Sequence, residues 1–462
     1  MKTQLEYSGR IDPEYYQKKY IRYQSLVENC RNFELKEKTD FIVGPFGSSY
    51  NTENYVPNSG YRYVRGQDVK PFVLKDDDAR YMTKEDFHRL SKYALKENDI
   101  LVSVVGTLGN ACIVQKKDIP GIFSCKSTVL RTNEMNPYYL LSYLNSKFGH
   151  DLLLRKERGA IQKGLNLGDL HSLLVPVLTS NIQTILESMI KRSLNQLEHA
   201  KNIYKSAETT LLYELGIQTD AFPSSTISIK SFSQSLSTSG RLDAEYYQAK
   251  YDFLFHKLKQ FPCKKLGGNH GIVTITKSIE PGSTAYRKQG IPFIRVGDVT
   301  KFGISEPEIF LPEDIAKDVS SLYPKKETIL FSKDGSAGIA YKLEKDKKLI
   351  TSGALLHLTV CNMEDVLPDY LTLVLNSPVV QLQAERDSNG AIIQHWKLSE
   401  IKNVIIPVLN KNIQKEITSK VQESFALRHQ SEQFMQYSKK AVEIAIEQNE
   451  EAAIQWLKAK GI

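Results

Sequence analysis

Apolar positions along this chain keep two different rhythms. Leu186, Ile190, Ser193, Leu197, Ala200, Tyr204, Ala207 and Leu211 step alternately by four and three with polar residues between them. This heptad stripe predicts a long helix over 179–216, stopped at Gly216. Ile413, Ile417, Val421 and Phe425 step by four, and Phe434, Tyr437, Ala441 and Ile444 resume the alternation after an interruption near Arg428. They predict a second long helix over 410–460. Either stripe suits a helix packed on its own globule; two of them at equivalent places suit pairing with each other, most simply antiparallel. Elsewhere the rhythm shortens. Runs such as Tyr61–Val64, Ile100–Val105 and Ala111–Gln115, broken by Gly, Pro and Asn turns, predict short β-strands, with a helix at Pro137–Lys147 among them. Asp12 as N-cap, Pro13 at the first helical position, and apolar residues at Tyr16, Tyr20, Tyr23 and Val27 predict a helix over 12–29.

The whole pattern occurs twice. Arg10-Ile11-Asp12-Pro13-Glu14-Tyr15-Tyr16-Gln17-Lys18-Lys19-Tyr20 returns 231 residues later as Arg241-Leu242-Asp243-Ala244-Glu245-Tyr246-Tyr247-Gln248-Ala249-Lys250-Tyr251, with eight of eleven positions identical. Tyr63–Val69 answers Phe293–Val299, and Tyr139–Ser146 answers Tyr370–Ser377. Ile100-Leu101-Val102-Ser103 with Gly106 and Gly109 answers Ile329-Leu330-Phe331-Ser332 with Gly335 and Gly338. A repeat this long is a pair of domains and not a solenoid. The expected architecture is α+β: two pseudo-symmetric globules joined by a pair of long antiparallel, coiled-coil-like helices. The first globule covers 1–178, the first long helix 179–216, a serine-rich connector 217–240, the second globule 241–409 and the second long helix 410–460.

Composition narrows the chemistry. With 462 residues, 41% of them hydrophobic, the chain can bury two cores. A net charge of +8 permits a polyanionic partner without demanding one. No apolar run approaches the ~18 residues of a membrane span, and Met1-Lys2-Thr3-Gln4 opens no signal peptide, so a cytoplasmic protein is expected. The five cysteines show no C-x-x-C spacing and the nine histidines no H-x-x-x-H, which argues against a zinc site. Asn136-Pro137-Tyr138-Tyr139 is similar to an adenine-methyltransferase element. Its counterpart Leu367-Pro368-Asp369-Tyr370 loses the asparagine, however, and no glycine-rich AdoMet loop follows a strand, so Asn136 reads as a helix N-cap. Asp369 with the distant Glu400 and Lys402 has the composition of a metal-dependent nuclease, but the first copy does not repeat it. Asp76-Asp77-Asp78 reads as a solvated turn.

On these residues the chain resembles the specificity (S) subunit of type I restriction–modification systems. The carriers are the R-x-D-x-E-Y-Y openings, the Y/F-x-R-x-x-D-V segments, the I-L-x-S-x-x-G-x-x-G turns and the Gly159–Leu170 element that closes on Val175-Pro176. The second copy departs from that element, since Gly390-Ala391-Ile392-Ile393-Gln394-His395-Trp396-Lys397-Leu398 lacks its Gly-Leu-Asn. The resemblance implies two target recognition domains, each reading one half of a split double-stranded DNA site. It also implies helices that set the spacer and bind two modification subunits. The chain itself is then expected to be non-catalytic and without cofactors. AdoMet-dependent adenine methylation, and ATP- and Mg-dependent restriction where restriction subunits join, would belong to partners. The alternatives are a two-domain protein-binding scaffold without DNA recognition, and a metal-dependent nuclease.

Groove reading needs planar polar side chains and phosphate contact needs cations. The candidates are Arg62, Arg65, Gln67, Lys126, Gln162 and Lys163 in the first copy, and Arg287, Arg295, Lys333, Gln394, His395 and Lys397 in the second. Arg65 and Arg295 stand beside Asp68 and Asp298, so an intradomain ion pair competes with a DNA contact at both. Tyr15, Tyr16, Tyr246 and Tyr247 either stack on bases or pack their helix. The glycine pairs shape a tight turn or, less simply, cradle a phosphate.

Overall fold

A computed structural model describes residues 10–45, 47–132, 134–159, 163–218, 221–223, 227–318, 320–388 and 395–462. The chain divides into two units. Unit 1 comprises residues 1–197 together with 428–462, and unit 2 comprises 198–427.

Unit 1 is built on two small sheets and a strand pair. β1 (Asn32–Glu34), β2 (Thr39–Val43), β3 (Arg62–Val64), β4 (Arg80–Tyr81), β5 (Ile100–Ser103), β6 (Ala111–Ile113), β7 (Gly121–Phe123), β8 (Ser127–Thr132) and β9 (Leu174–Pro176) follow in order. They assemble as an antiparallel sheet β2-β8-β5-β6, a mixed sheet β4-β3-β7 and the antiparallel pair β1-β9. The strand β5 is buried throughout, and its Ile100-Leu101-Val102 run is apolar because both of its faces are covered. Ile100 and Val102 join the main core with Leu130 and Ile113, while Leu101 packs with Val64, Cys112, Phe123 and Val129 on the other side. Complete burial of each such side chain is worth about 1.5–3 kcal/mol.

Unit 2 repeats this topology strand for strand. β10 (Cys263–Lys265), β11 (Val273–Lys277), β12 (Ile291–Ile294), β13 (Val299–Thr300), β14 (Gly303–Ile304), β15 (Phe310–Leu311), β16 (Ile329–Ser332), β17 (Ala340–Lys342), β18 (Ile350–Thr351), β19 (Leu355–Val360) and β20 (Ile405–Pro407) form sheets β11-β19-β16-β17 and β15-β12-β18 with the pair β10-β20. The hairpin β13-β14 has no sheet equivalent among the described residues of unit 1. The sequence landmarks shared by the copies are the groups that bond inside each unit. Tyr139 and Tyr370 donate their hydroxyls to the carbonyls of Pro176 and Pro407, and Asn145 and Asn376 donate to those of Ala111 and Ala340.

Three local expectations change. The opening helix of each copy is two pieces, a 3₁₀ turn (Pro13–Tyr16, Ala244–Tyr247) and an α-helix (Lys18–Asn29, Ala249–Leu258), with Gln17 and Gln248 extended between them. Asp12 does not cap by its side chain, because its carboxylate is taken bidentately by Arg10 at 2.8 and 2.6 Å. The helix at Pro137 stops at Asn145, and Ser146 caps a second one, Lys147–Leu154, by accepting from the Gly149 N–H.

The third change concerns the long helices, Ser180–Glu214 and Lys411–Glu447, the latter unbroken through Arg428 and followed by Glu450–Ala459. In unit 1 their segments run antiparallel: Ser193 Oγ donates to Ser431 O and Ser431 Oγ to Ser193 O, both at 2.9 Å. One turn on, Gln196 meets Gln430. In unit 2 the segments also run antiparallel, with Ser424 Oγ donating to Ala200 O at 2.7 Å and Lys420 reaching Thr210. The seam therefore continues through small polar residues that let the backbones approach, and these read as a gap in the apolar pattern.

Both readings of the stripes hold together. Leu186 and Ile190 share one core with Tyr139 and Phe148 of the globule and with Ala441 and Leu457 of the C-terminal helices. Tyr204 and Leu211 share another with Leu254, Tyr370, Ile417 and Val421, with Ile413 and Phe425 packed at its margin. Leu197 alone of the first stripe is only half-buried. No helix among the described residues is long and apolar enough to cross a membrane.

Candidate nucleic-acid interface

In each unit the site starts from the glycine turn that links two core strands. Gly106 and Gly109 between β5 and β6 take φ of +89° and +76°, and Gly335 and Gly338 between β16 and β17 take +70° and +90°. A side chain at any of them would be strained. Ser103 ties its turn by donating to Thr107 O and accepting from Asn110 N, while Ser332 donates to Ser336 O and accepts from Ile339 N. These internal bonds account for the glycines, so a phosphate cradle is not needed to explain them.

The segment closing each copy pairs back onto this turn. In unit 1 Leu165 N donates to Val104 O at 2.9 Å, and Val105 bridges Gly164. In unit 2 Trp396 N donates to Lys333 O at 2.8 Å, and Asp334 bridges His395. Backbone pairing therefore persists where the second copy lacks Gly-Leu-Asn. Leu165 and Trp396 are the buried anchors, so the hydrophobic plug rather than the motif is what the pairing requires.

Unit 1 presents a cleft of about 570 Å³ beside its turn, and three of the expected residues, Arg65, Gln67 and Lys126, line it together. Gln67 and Lys126 are exposed. Arg65 is clamped by Asp68 at 2.7 Å and Asp78 at 3.0 Å, which raises its already high pKa further and fixes the guanidinium in place. The floor is aromatic: Tyr50 and Tyr63 have ring centroids 4.8 Å apart, and Tyr55 lies 5.7 Å from Tyr63. Burial pushes the Tyr50 hydroxyl up to about 12 and also raises those of Tyr55 and Tyr63, so all three stay neutral near pH 7 and do not repel phosphate. Sequence reasoning missed Tyr50 and Tyr55. They lie within 36–61, between the landmarks that the two copies share, where no repeated motif marks them.

The remaining candidates disperse. Arg62 is a correction: it is buried, bonded to Asp118 and to Lys75 O and paired with Asp76 at 3.0 Å, so its guanidinium serves the core. Burial raises the Asp118 carboxyl and the Arg62 charge pulls it back. Asp76 and Asp78 consequently belong to arginine pairs and not to a merely solvated turn. Lys163 pairs with Glu157, while Gln162 and Gln394 lie outside the described residues.

In unit 2, Arg287 is exposed but folded onto its own turn, donating to the carbonyls of Thr284 and Tyr286. Arg295 repeats the Arg65 arrangement more loosely, 3.5 Å from Asp298 with 45% of its side chain exposed, against 17% for Arg65. Lys333 and His395 meet on Asp334, and Lys397 stands near Glu400 at 3.9 Å. The opening tyrosines pack: Tyr15 lies under Arg10 and Arg155, and Tyr246 under Arg241 and Arg386.

The catalytic look-alikes are explained by structure. Asn136 accepts from the N–H groups of Tyr138 and Tyr139 as an N-cap. Asp369 is buried against Lys342 at 3.1 Å and accepts from Gln422, while Glu400 accepts from the Lys397 N–H. Among the described residues no group of three or more His, Cys, Asp or Glu is placed to hold a metal ion.

Residues 270–433 match the family model described as the type I restriction modification DNA specificity domain. Among solved structures, the chain is similar to a type I restriction-modification system S subunit from M. genitalium. Identity is 14%, with 91% of this chain and 95% of that chain covered at a TM-score of 0.39. It is also similar to the HsdS subunit from Thermoanaerobacter tengcongensis, at 16% identity over 91% and 97% of the two chains with a TM-score of 0.28. No curated protein matches it.

Proposed function

We propose that this chain, which carries a type I restriction modification DNA specificity domain over residues 270–433, is the sequence-reading subunit of a type I restriction–modification complex. The observation that carries the reading is that match, together with unit 1 repeating the matched unit's sheets apart from the β13-β14 hairpin. Recognition is assigned to 1–178 and 241–409. The helices over 179–216 and 410–460 act as the spacer and as the dock for two modification subunits, with 217–240 as the connector. Catalysis, with AdoMet, ATP and Mg, is assigned to those partners and to restriction subunits where they join.

Two readers with different side chains on one backbone read different half-sites, so the target is bipartite and asymmetric. In unit 1 the cleft holding Arg65, Gln67 and Lys126 is the proposed contact, with Lys126 on phosphate and Gln67 on a base edge. In unit 2 it is the turn holding Lys333 and His395, with Arg295 and Lys397 as further cations.

Salt gives the test. Binding of a duplex carrying the site by the chain with its modification subunits should fall by about 10³-fold or more between about 50 and 200 mM salt. A flat response points instead to a protein-binding scaffold. Exchanging residues 36–166 for those of another such subunit should change one half-site only; a change in both halves refutes independent reading.

A further inference from the structure

The two units hold their closing segments on the glycine turn by the same backbone bridge and put different chemistry on it. Unit 1 has Val105 opposite Gly164, with nothing that hydrogen-bonds through a side chain. Unit 2 has Asp334 opposite His395, and the two side chains meet, with His395 Nδ1 2.9 Å from Asp334 Oδ1. The other carboxylate oxygen, Oδ2, takes the Lys333 ammonium. A carboxylate only accepts. The Nδ1 atom therefore carries a proton, and the tautomer in which that is the single ring proton offers Nε2 as an acceptor.

The ring is also held in position from behind. The next residue, Trp396, is buried against Phe331 at 5.8 Å and bonded through its backbone N–H to Lys333 O. The His395 side chain nonetheless remains 65% exposed. An oriented, exposed acceptor on a fixed backbone is what direct readout requires.

We infer that His395 is a specificity-determining residue of unit 2, accepting through Nε2 a hydrogen bond from the exocyclic amino group of an adenine or a cytosine in the major groove. The inference rests on the DNA-reading function proposed above. Guanine and thymine present acceptors on that edge and meet an acceptor on the protein, so they are rejected.

The experiment is selection from a random duplex pool by the full chain with its modification subunits, for the wild type and three variants. His395→Ala should relax one position in one half-site, with a loss of about 5- to 150-fold in preference, and leave the other half-site intact. Asp334→Asn should do something a merely structural residue would not. With Lys333 holding the amide oxygen, the amide nitrogen faces Nδ1 and the ring proton moves to Nε2, as when the orienting carboxylate of a catalytic triad is amidated. The preference at that same position should turn from an amino-bearing base toward guanine or thymine. His395→Lys, a donor only, should turn it the same way.

If the wild type selects no sequence, the functional reading itself fails. If it selects a bipartite site that His395→Ala leaves unchanged, only the role of His395 falls. If Asp334→Asn weakens the position without changing the preferred base, the acceptor account is overturned.

Discussion

Arg62 in unit 1 and Pro292 in unit 2 occupy the same register, two residues before the strand position that pairs with Phe123 in one unit and with Thr351 in the other. One is a buried cation tied to Asp118 and Asp76; the other is a ring with no charge to satisfy. The exchange is reversed at another register. Ile113, opposite Ile100 in unit 1, is replaced in unit 2 by Lys342, opposite Ile329, and the buried ammonium is met by Asp369, Glu327 and Glu344. Each unit thus keeps a buried charged cluster at a place where the other is apolar. The common fold does not need either of them; they belong to the separate histories of the two halves.

The largest expected effect comes from removing the cation in unit 1. Arg62→Ala strands the Asp118 carboxylate in the core and should cost about 3–5 kcal/mol. Denaturant unfolding read by hydrogen exchange should place that loss in unit 1, with unit 2 protected as before. In unit 2, Lys342→Ile should cost about 2–4 kcal/mol, somewhat less because Gln422 still donates to Asp369. Adding Asp369→Tyr, which recreates the Ile113 and Tyr138 pair of unit 1, should recover most of that loss in the same assay. If the double variant is no better than the single one, the clusters are not interchangeable.

A third difference is titratable. His357 on β19 stands opposite Leu330, where unit 1 has Val129 opposite Leu101. Burial lowers the His357 pKa from 6.5 to about 4, and its Nε2 bonds Thr351 at 2.8 Å. Between those two values the unfolded chain takes a proton that the folded unit refuses. Stability therefore falls as pH drops from 6.5 toward 4, by up to about 3 kcal/mol. Unit 2 should show the loss and unit 1, at the Val129 register, should not; His357→Val should flatten the profile measured by thermal unfolding across that range. The smallest effect is expected at the helix seam. Ser431→Ala removes one of two reciprocal buried bonds and should cost about 1 kcal/mol, read as a lowered melting temperature of unit 1.

Much of the fold was legible because the residues that repeat bond to partners that repeat with them. Ser103 and Ser332, Asn145 and Asn376, and Arg10 and Arg241 each meet a partner that is itself repeated. The long helices were legible from the heptad stripe, and their continuity through Arg428 was not, since Ser424 and Ser431 are polar and bond sideways to another segment. The candidate site was legible in part. Arg65, Gln67 and Lys126 converge on one cleft, but of its Tyr50–Tyr55–Tyr63 floor only Tyr63 stands on a strand, and Tyr50 and Tyr55 lie in irregular chain where no periodicity can show. Arg62 was misread because its partner Asp118 lies 56 positions away, and an arginine beside a strand looks the same whether it points into the core or out of it.

The division of the chain has a consequence for how it is made. Unit 2 is continuous in sequence, whereas unit 1 borrows residues 428–462, whose Ala441, Val442 and Leu457 complete its principal core. During translation the first 197 residues leave the ribosome lacking that covering, and at roughly 5–20 residues per second they wait on the order of 10–50 s for it. The later-born unit is finished first. For that interval the exposed face around Leu186 and Ile190 is a natural client for a chaperone, and a premature stop at residue 428 would spare the second unit while leaving the first one open to proteolysis.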